Sequence, residues 1–241
     1  MKIVAPPFGV VAGLALALFV SGCTSPPSVR TTTAHELATF RFAVYGMTCD
    51  ACAKKAAREM QKLSGVVTAN VDFDSKQAKV EAKRATTTFP DIQSALKTLG
   101  FEAMGIGERP VAPLSDVERK TLDIRTLSQG KRFDLREQLA PGKVTVFDYY
   151  ADWCGPCHLL TPKLERLLLK YENVALRKID LGDWESAAAE QAYSAFQLPG
   201  LPFTRVFDDR GNLLGQVHGN FIERIEPIIR SHASPRRRRR P

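Results

Sequence analysis

Two cysteine pairs of identical spacing are the residues of this sequence best suited to chemistry. Cys49 and Cys52 stand in GMTCDAC, Cys154 and Cys157 stand in WCGPC, and the fifth cysteine, Cys23, stands alone near the N-terminus. A disulfide framework would scatter its cysteines along the chain, whereas clustered pairs are typical of metal binding or thiol redox chemistry. The sequence therefore predicts metal binding or redox chemistry at both pairs.

The overall composition is that of a folded protein with one large domain or two small ones. The chain has 241 residues, of which 44% are hydrophobic, and a formal net charge of +8. Five of its positive charges are the consecutive arginines 236–240, so the rest of the chain carries only +3. The excess charge belongs to an arginine-rich tail at 233–241, for which we expect a solvated end, and we expect no nucleic-acid partner.

The first 22 residues have the pattern of an export signal. Lys2 precedes an apolar run at 8–20, which is shorter than the roughly 20 residues that span a bilayer and fits the core of a signal peptide. The run ends in VSGC, which resembles a bacterial lipoprotein signal. That resemblance implies that Cys23 carries the lipid and that 23–36 is a lipid-anchored linker. An ordinary secretory signal with a chance cysteine is the alternative.

Export would place the protein on the periplasmic face of a bacterial membrane, held there by the lipid. Thiols outside the cytosol oxidise unless something reduces them. The compartment therefore bears on both cysteine pairs.

The residues around the first pair predict a ferredoxin-like βαββαβ domain at 37–105. Apolar residues alternate in the outer strands, and the helix after the first pair has an apolar stripe with helical spacing. The predicted elements are a strand at 38–46, a helix at 51–63, strands at 66–74 and 76–84, a helix from Pro90 to Gly100, and a strand at 101–106.

GMTCDAC in a strand-to-helix loop, followed by GFEA, resembles the heavy-metal-associated domain of copper chaperones and metal-transporting ATPases. The resemblance implies that Cys49 and Cys52 bind a soft ion, Cu(I) ahead of Zn(II), Cd(II) or Hg(II), because thiolates suit soft ions. It also implies that Met47 plugs the core and that Phe101 packs near the site. A structural zinc site needs four ligands, and this segment has no histidine or further cysteine. A redox or sensor pair and a degenerate site stay open.

The residues around the second pair predict an α/β domain at 106–232, entered through an interdomain linker at 105–118. VTVFDYYADWC is a near-continuous apolar run, as expected of a buried central strand. The elements predicted after it are a helix with Pro162 as a kink, a strand at 174–181, a helix at 184–196, two strands around a turn at 209–212, and a helix from about Phe221.

YADWCGPC and the later GLPFT resemble thioredoxin over residues 115–232. The resemblance implies that Cys154 is exposed at a helix N-terminus, where its thiolate attacks a substrate disulfide, and that the more buried Cys157 resolves the mixed disulfide. It implies that Asp148 is the buried acid that helps to take the proton of Cys157. Pro202 would be the cis-proline that shapes the substrate surface and discourages metal binding.

The direction of the redox reaction is predicted from the residues between the second pair. Gly155 and Pro156 are the pair found in reducing thioredoxins, which favours a reductase over an oxidase. His158 departs from the family lysine after CGPC, and we expect a solvated side chain there. Leu176 stands where thioredoxins have a lysine near the buried acid.

Two functional hypotheses follow from the sequence. In the first, the protein is a thioredoxin-like protein-disulfide reductase coupled to Cu(I) binding, acting on disulfide-containing or copper-site client proteins or on Cys49–Cys52 itself. In the second, it is a metal-sequestering or metal-delivery protein whose thioredoxin domain is a general reductase. Both need an external electron donor, because the sequence contains no membrane-spanning electron conduit, and neither needs an organic cofactor.

Overall fold

A computed structural model describes residues 37–236 of the chain. The expected signal peptide at 1–22, the lipid site at Cys23, the linker at 23–36 and the last five residues of the tail lie outside the described residues. No helix within 37–236 is long and apolar enough to cross a membrane.

The first domain confirms the predicted βαββαβ order. Its antiparallel sheet has the strand order β2-β3-β1-β4, with β1 pairing with both β3 and β4. Both helices contribute buried residues to one apolar cluster with the sheet. The elements are β1 (Leu37–Tyr45), α1 (Asp50–Gln61), β2 (Val66–Val71), β3 (Gln77–Lys83), α2 (Phe89–Thr98) and β4 (Glu102–Met104).

The two helices of this domain begin in different ways. The Thr88 side chain and the Asp91 carboxylate form a capping box at the start of α2, which satisfies backbone donors there. Cys49 is the N-cap residue of α1 and makes no side-chain cap hydrogen bond. The thiol of Cys49 is therefore left available at a helix end where unpaired N–H groups favour negative charge.

The second domain has a five-stranded mixed sheet of strand order β5-β7-β6-β8-β9. Strands β5, β7 and β6 run parallel, and β8 and β9 are antiparallel additions. The elements are α3 (Asp116–Lys120), β5 (Asp123–Leu127), a 3-10 turn (Arg136–Gln138), β6 (Val144–Tyr150), α4 (Gly155–Leu168), β7 (Val174–Asp180), α5 (Ala187–Phe196), β8 (Phe203–Phe207), β9 (Leu213–His218) and α6 (Ile222–Arg230).

Strand β6 is central and buried, as its apolar sequence predicts. Val144 to Tyr149 are all buried. Alternate residues enter two separate clusters, Val146 with α4 and α6 and Phe147 with α5, because successive side chains of a strand point to opposite faces. The strand therefore holds Asp148 inside the domain and ends close to Cys154.

Strand β5 and helix α3 are two elements that the sequence pattern does not predict. The predicted linker at 105–118 runs into α3, which starts at a capping box formed by Ser115 and Glu118. The following strand, DIRTL, is short, and three of its five residues are polar or charged, so it has little of the apolar pattern that identifies a strand.

The described start of the arginine-rich tail is exposed at 234–236, as the sequence predicts, but its backbone is held in place by hydrogen bonds. Pro235 forms an antiparallel bridge with Tyr171, and the backbone N–H of Arg236 donates to the carbonyl of Lys170 at 2.7 Å. These backbone contacts have no signature in the side-chain sequence.

Candidate functional site

The first cysteine pair lies in the loop between β1 and α1. Cys49 is exposed and Cys52 is partly buried, and both are free thiols. Their sulfurs are 3.0 Å apart, and the Thr48 hydroxyl lies 3.7 Å from the Cys52 sulfur. The helical spacing of three residues therefore brings both sulfurs to the same end of α1.

The environment of Cys52 favours its thiolate. Burial is the largest single influence and raises the pKa of Cys52, but hydrogen bonds with Cys49 and Thr48 together outweigh it, so that this pKa is lowered from 9.0. A thiol must lose its proton to act as a metal ligand or as a nucleophile. The loop thus prepares this pair for either role.

The donor set of this loop fits a soft ion of low coordination number. Two sulfurs are close together, and no group of three or more histidine, cysteine, aspartate or glutamate side chains within 37–236 could hold a metal. Thiolates select soft ions, whereas a structural zinc site uses four ligands. Met47 and Phe101 are buried in the same apolar cluster, where the sequence predicted them, and Phe101 lies against the loop at Gly46.

The second pair forms a disulfide between Cys154 and Cys157 at the start of α4. Cys154 is the N-cap residue, and its sulfur accepts a hydrogen bond of 3.3 Å from the backbone N–H of Cys157. Such a bond, together with the helix dipole, stabilises a thiolate at this position once the disulfide is reduced.

Cys154 is buried, and the expectation of an exposed nucleophile was wrong for this arrangement. Only 4% of Cys154 is exposed, against 1% for Cys157. The cysteine packs against its own domain, including Leu201, and the first domain contacts the next residue, Gly155. A Cβ on Gly155 would overlap the carbonyl oxygen of Gly46, so only glycine permits this close approach.

The same packing continues on both sides of Gly155. A Cβ on Gly100 would meet Pro156 at 2.7 Å, and a Cβ on Gly46 would meet the Leu159 side chain at 2.9 Å. Two turns of the first domain, one of them the cysteine loop, therefore contact the N-terminal turn of α4.

A charged cluster joins the two domains beside these contacts. The Lys163 ammonium donates to the Glu102 carboxylate and, at 3.2 Å, to the Asn220 side-chain oxygen. Asn220 in turn donates to Glu102 at 3.0 Å. We call Glu102, Lys163 and Asn220 the interdomain cluster. No sequence signal identified it, because Glu102 is separated from its partners by 61 and 118 positions.

Asp148 is fully buried and binds to α4. Its Oδ2 accepts a hydrogen bond of 3.0 Å from Thr161, and its Oδ1 has no hydrogen-bond partner within 37–236. Burial raises the pKa of Asp148 from 3.8 to about 6, although Thr161 and Lys178 act in the opposite direction. Thr161 lies one helical turn beyond Cys157, so the carboxyl group faces the side of α4 that carries this cysteine.

Lys178 provides a positive charge near Asp148, where the thioredoxin lysine position itself holds Leu176. It is the register partner of Asp148 on the neighbouring strand, and its charge lowers the pKa of that carboxyl group. The side chain of Leu176 is fully buried in the apolar core. Resemblance to thioredoxin leads to Leu176 and not to Lys178. The register of the two parallel strands could have suggested Lys178.

Pro202 and His158 lie where the sequence predicted them. The Leu201–Pro202 peptide bond is cis, and Leu201 packs against the cluster that contains Cys154 and Cys157. His158 is exposed, and its Nε2 donates to the carbonyl oxygen of Asp152 at 2.7 Å.

Two exposed tryptophans flank the second pair. The ring centroids of Trp153 and Trp184 are 5.6 Å apart. Trp153 is 45% exposed and Trp184 is 51% exposed. The Trp153 indole N–H donates to the carbonyl of Gly182 at 2.7 Å. The exposure of Trp184 and its contact with Trp153 place it at the rim of the redox site.

Comparison with known proteins separates the chain into two family matches. The family described as heavy-metal-associated domain matches residues 41–102, and the thioredoxin family matches residues 128–226.

Known thioredoxins match the second domain over part of the chain. Thioredoxin-T of Drosophila melanogaster is 35% identical over 42% of this chain, and the matched segment covers 62% of the length of that protein. Thioredoxin H-type of Fagopyrum esculentum is 41% identical over 35% of this chain and 71% of its own length.

One solved structure that resembles the first domain is the Cu(I)-loaded N-terminal domain of a potential copper-translocating P-type ATPase from Bacillus subtilis. It is 29% identical, covers 28% of this chain and 85% of its own length, and has a TM-score of 0.28. The assignment of the first domain rests on the family match at 41–102, and the assignment of the second on the thioredoxin matches. The chain belongs to the thioredoxin family through its second domain and carries a heavy-metal-associated domain ahead of it.

Proposed function

We propose that this protein is an extracytoplasmic thiol–disulfide reductase coupled to the binding of a soft metal, with Cu(I) as the preferred ion. One observation carries the proposal: two pairs of identical spacing lie in different environments. The first pair consists of free thiols in an open loop, whereas the second is a disulfide beside a cis-proline and a buried acid.

The proposed redox cycle uses Cys154, Cys157, Asp148 and Pro202. After reduction by an external dithiol donor, the Cys154 thiolate attacks a client disulfide and forms a mixed disulfide. Cys157 then attacks Cys154, which releases the reduced client and restores the disulfide. Asp148 accepts the proton of Cys157, directly or through water, and its raised pKa suits that task near neutral pH. Pro202 and Leu201 form the surface for the client.

The proposed metal chemistry uses Cys49 and Cys52 as two thiolate ligands. The ion is cargo, taken from or given to a copper-site partner. Lys54 and Lys55 are exposed on the first turns of α1, where their charges would offset an anionic complex.

The proposed location is the periplasmic face of a bacterial membrane. It is supported by the apolar run at 8–20 and by the VSGC sequence that ends at Cys23. A diacyl anchor at this cysteine would hold the protein stably, because two or more chains bind a membrane where one does not.

Insulin reduction with dithiothreitol as electron donor tests the redox proposal. The full chain should accelerate precipitation of the insulin B chain, and Cys154→Ser should abolish this acceleration. The Cys49→Ser/Cys52→Ser variant is the matched control and should retain it. An inactive wild-type chain would contradict the redox assignment.

Competition for Cu(I) tests the metal proposal. The reduced chain should take one equivalent of Cu(I) from a chromophoric chelator, and Cys49→Ser should lose it, while Cys154→Ser/Cys157→Ser should keep it. Equal uptake by the unaltered chain and both variants would contradict the assignment to the first pair.

A metal-delivery function, with the thioredoxin domain as a general reductase, is the second candidate. The exposure of Cys49 favours it, because a partner's thiolate could reach an ion held there. Transfer of Cu(I) to a partner without any change in its cysteine oxidation would support delivery over reduction.

A further inference from the structure

The two cysteine pairs are neighbours in the fold. The Thr48 methyl group lies 3.0 Å from the position that a Cβ on Gly155 would occupy. Thr48 directly precedes Cys49, and Gly155 directly follows Cys154. Because consecutive α carbons are about 3.8 Å apart, each of these two cysteines is a single residue step away from the contact.

The first domain lies directly beside the redox site. Cys154 is 4% exposed although it caps a helix N-terminus, and the Gly46 carbonyl sits directly against Gly155. A domain in this place would hinder the approach of an external protein to the second pair. The group already placed at the redox site is the loop that carries Cys49 and Cys52.

The interdomain cluster selects this relative placement of the domains. Asn220 is 1% exposed, and the side chains of Lys163 and Glu102 are 16% and 15% exposed. A charge removed from water is costly unless it is paired and hydrogen-bonded, and these two charges find their partners across the domain boundary. A second, more exposed ion pair between Lys97 and Glu223, at 2.5 Å, joins the same two domains.

We propose that Cys49–Cys52 is an internal substrate of Cys154–Cys157, the two pairs exchanging a disulfide within one chain. This deepens, and rests on, the proposed redox function of the second pair. The Cys154 thiolate attacks the Cys49 sulfur of an oxidised first pair, the Cys49–Cys52 bond breaks, and Cys52 leaves as a thiolate that takes up a proton. Cys157, losing a proton, then attacks Cys154 and releases Cys49. Two electrons pass from the second pair to the first, with no other reagent.

The exchange would keep the metal loop able to bind its ion. Thiols coordinate a metal only when they are reduced and deprotonated. In an oxidising compartment they form a disulfide, which cannot bind the ion. An adjoining dithiol restores them without a diffusional encounter. The reverse reaction, from free Cys49 and Cys52 to the Cys154–Cys157 disulfide, uses the same contact and the same mixed disulfide.

A trapped mixed disulfide tests the proposal directly. The full chain carrying Cys23→Ser, Cys52→Ser and Cys157→Ser retains only Cys49 and Cys154. In a glutathione redox buffer, these two should form an intramolecular disulfide, identified by peptide mass spectrometry. The effective concentration of Cys49 at Cys154 should be at least ten times the millimolar value that a flexible tether alone provides. A value at or below the millimolar range would overturn the proposal.

Charge reversal in the interdomain cluster tests the role of domain docking. In the trapped chain, Glu102→Lys should lower the effective concentration tenfold or more, and Glu102→Lys with Lys163→Glu should recover much of it. Glu59→Lys, which reverses a glutamate of α1 paired with Lys62 inside the first domain, is the matched control and should change nothing. Equal values for Glu102→Lys and Glu59→Lys would show that docking does not position the pairs.

Insulin reduction distinguishes failure of this inference from failure of the proposed function. If Cys49→Ser/Cys52→Ser reduces insulin and the trapped chain forms no internal disulfide, the reductase stands and the internal substrate falls. With both pairs intact, Glu102→Lys should also raise the rate of insulin reduction severalfold, since it uncovers Cys154. An unchanged or lower rate would contradict the proposal that the first domain covers the redox site.

Discussion

Asp148 carries a carboxyl group whose surroundings favour its neutral form. Burial raises its pKa to about 6, above the ordinary value of 3.8. Between about pH 4 and pH 6 the folded protein therefore binds this proton more tightly than the unfolded chain, and the stability falls as the pH rises through that window. The difference between these two pKa values corresponds to about 3 kcal/mol of stability, which is lost in full above pH 6.

Replacing Asp148 by asparagine should remove that loss. We expect Asp148→Asn to raise the free energy of unfolding at pH 7 by about 2–3 kcal/mol and to change it far less at pH 4, measured by urea denaturation of the oxidised chain. Asp74→Asn, at an exposed turn, is the control and should have little effect at either pH. Equal stabilisation at both pH values would mean that the charge of Asp148 is not its cause.

The positions of the site residues in the fold were predictable from short motifs, but their surroundings were not. CGPC and GLPFT were enough to single out Cys154, Cys157 and Pro202. Nothing local in the sequence showed that the first domain would lie beside Cys154, because the contacting atoms belong to Gly46 and its neighbours, more than a hundred positions away.

Among the elements, helix α4 starts against the first domain, and Gly155 is the residue that permits it. The Cβ introduced by Gly155→Ala would overlap the Gly46 carbonyl oxygen, so the cysteine loop must move away. We expect the reduced variant to react severalfold faster with iodoacetamide at Cys154, followed by peptide mass spectrometry. Alkylation of the exposed Cys49 in the same sample is the internal control, and an unchanged ratio between the two would refute the expectation.

Strand β5 is joined to the sheet through a buried arginine. Arg177 is 2% exposed and donates to the Asp123 carboxylate at 2.8 Å, which Lys143 also contacts at 2.8 Å. Burial raises the pKa of Asp123, but the hydrogen bonds and charges of Arg177 and Lys143 lower it overall. Its stabilising effect is therefore present above about pH 4 and is lost as the pH falls through the lowered pKa.

Removing the Asp123 charge should destabilise the second domain. Asp123→Asn leaves the buried Arg177 without its counter-ion, so we expect a loss of about 2–3 kcal/mol at pH 7 in urea denaturation. Lys143→Gln removes the more exposed partner and should cost about 1 kcal/mol or less. If the two variants lost equal stability, the burial of Arg177 would not be what makes this pair strong.

The elements that the sequence predicted are those with a strong apolar period. Strand β1, helix α1 and the β2–β3 hairpin alternate or repeat clearly, and β6 is mostly apolar. Strand β5 was not predicted because its five residues are mostly polar and because its pairing with β7 is a contact between distant segments.

For the whole molecule, the interdomain cluster should couple the unfolding of the two domains. We expect calorimetry to give one transition for the oxidised full chain, and two separated transitions for Glu102→Lys, because buried charges without partners disfavour the docked arrangement. Glu59→Lys should retain the single transition. Two transitions already present in the unaltered chain would contradict this coupling.

The burial of Cys154 beside an exposed Cys49 gives the two pairs unequal access to other proteins. A copper donor can reach Cys49 without any rearrangement, whereas a foreign disulfide can reach Cys154 only when the structure around it opens. Ion delivery should then depend on encounter alone, and electron transfer to outside proteins should depend in addition on how often that opening occurs. Metal exchange and the reduction of outside proteins would therefore be limited by different steps, although the two loops concerned are in contact.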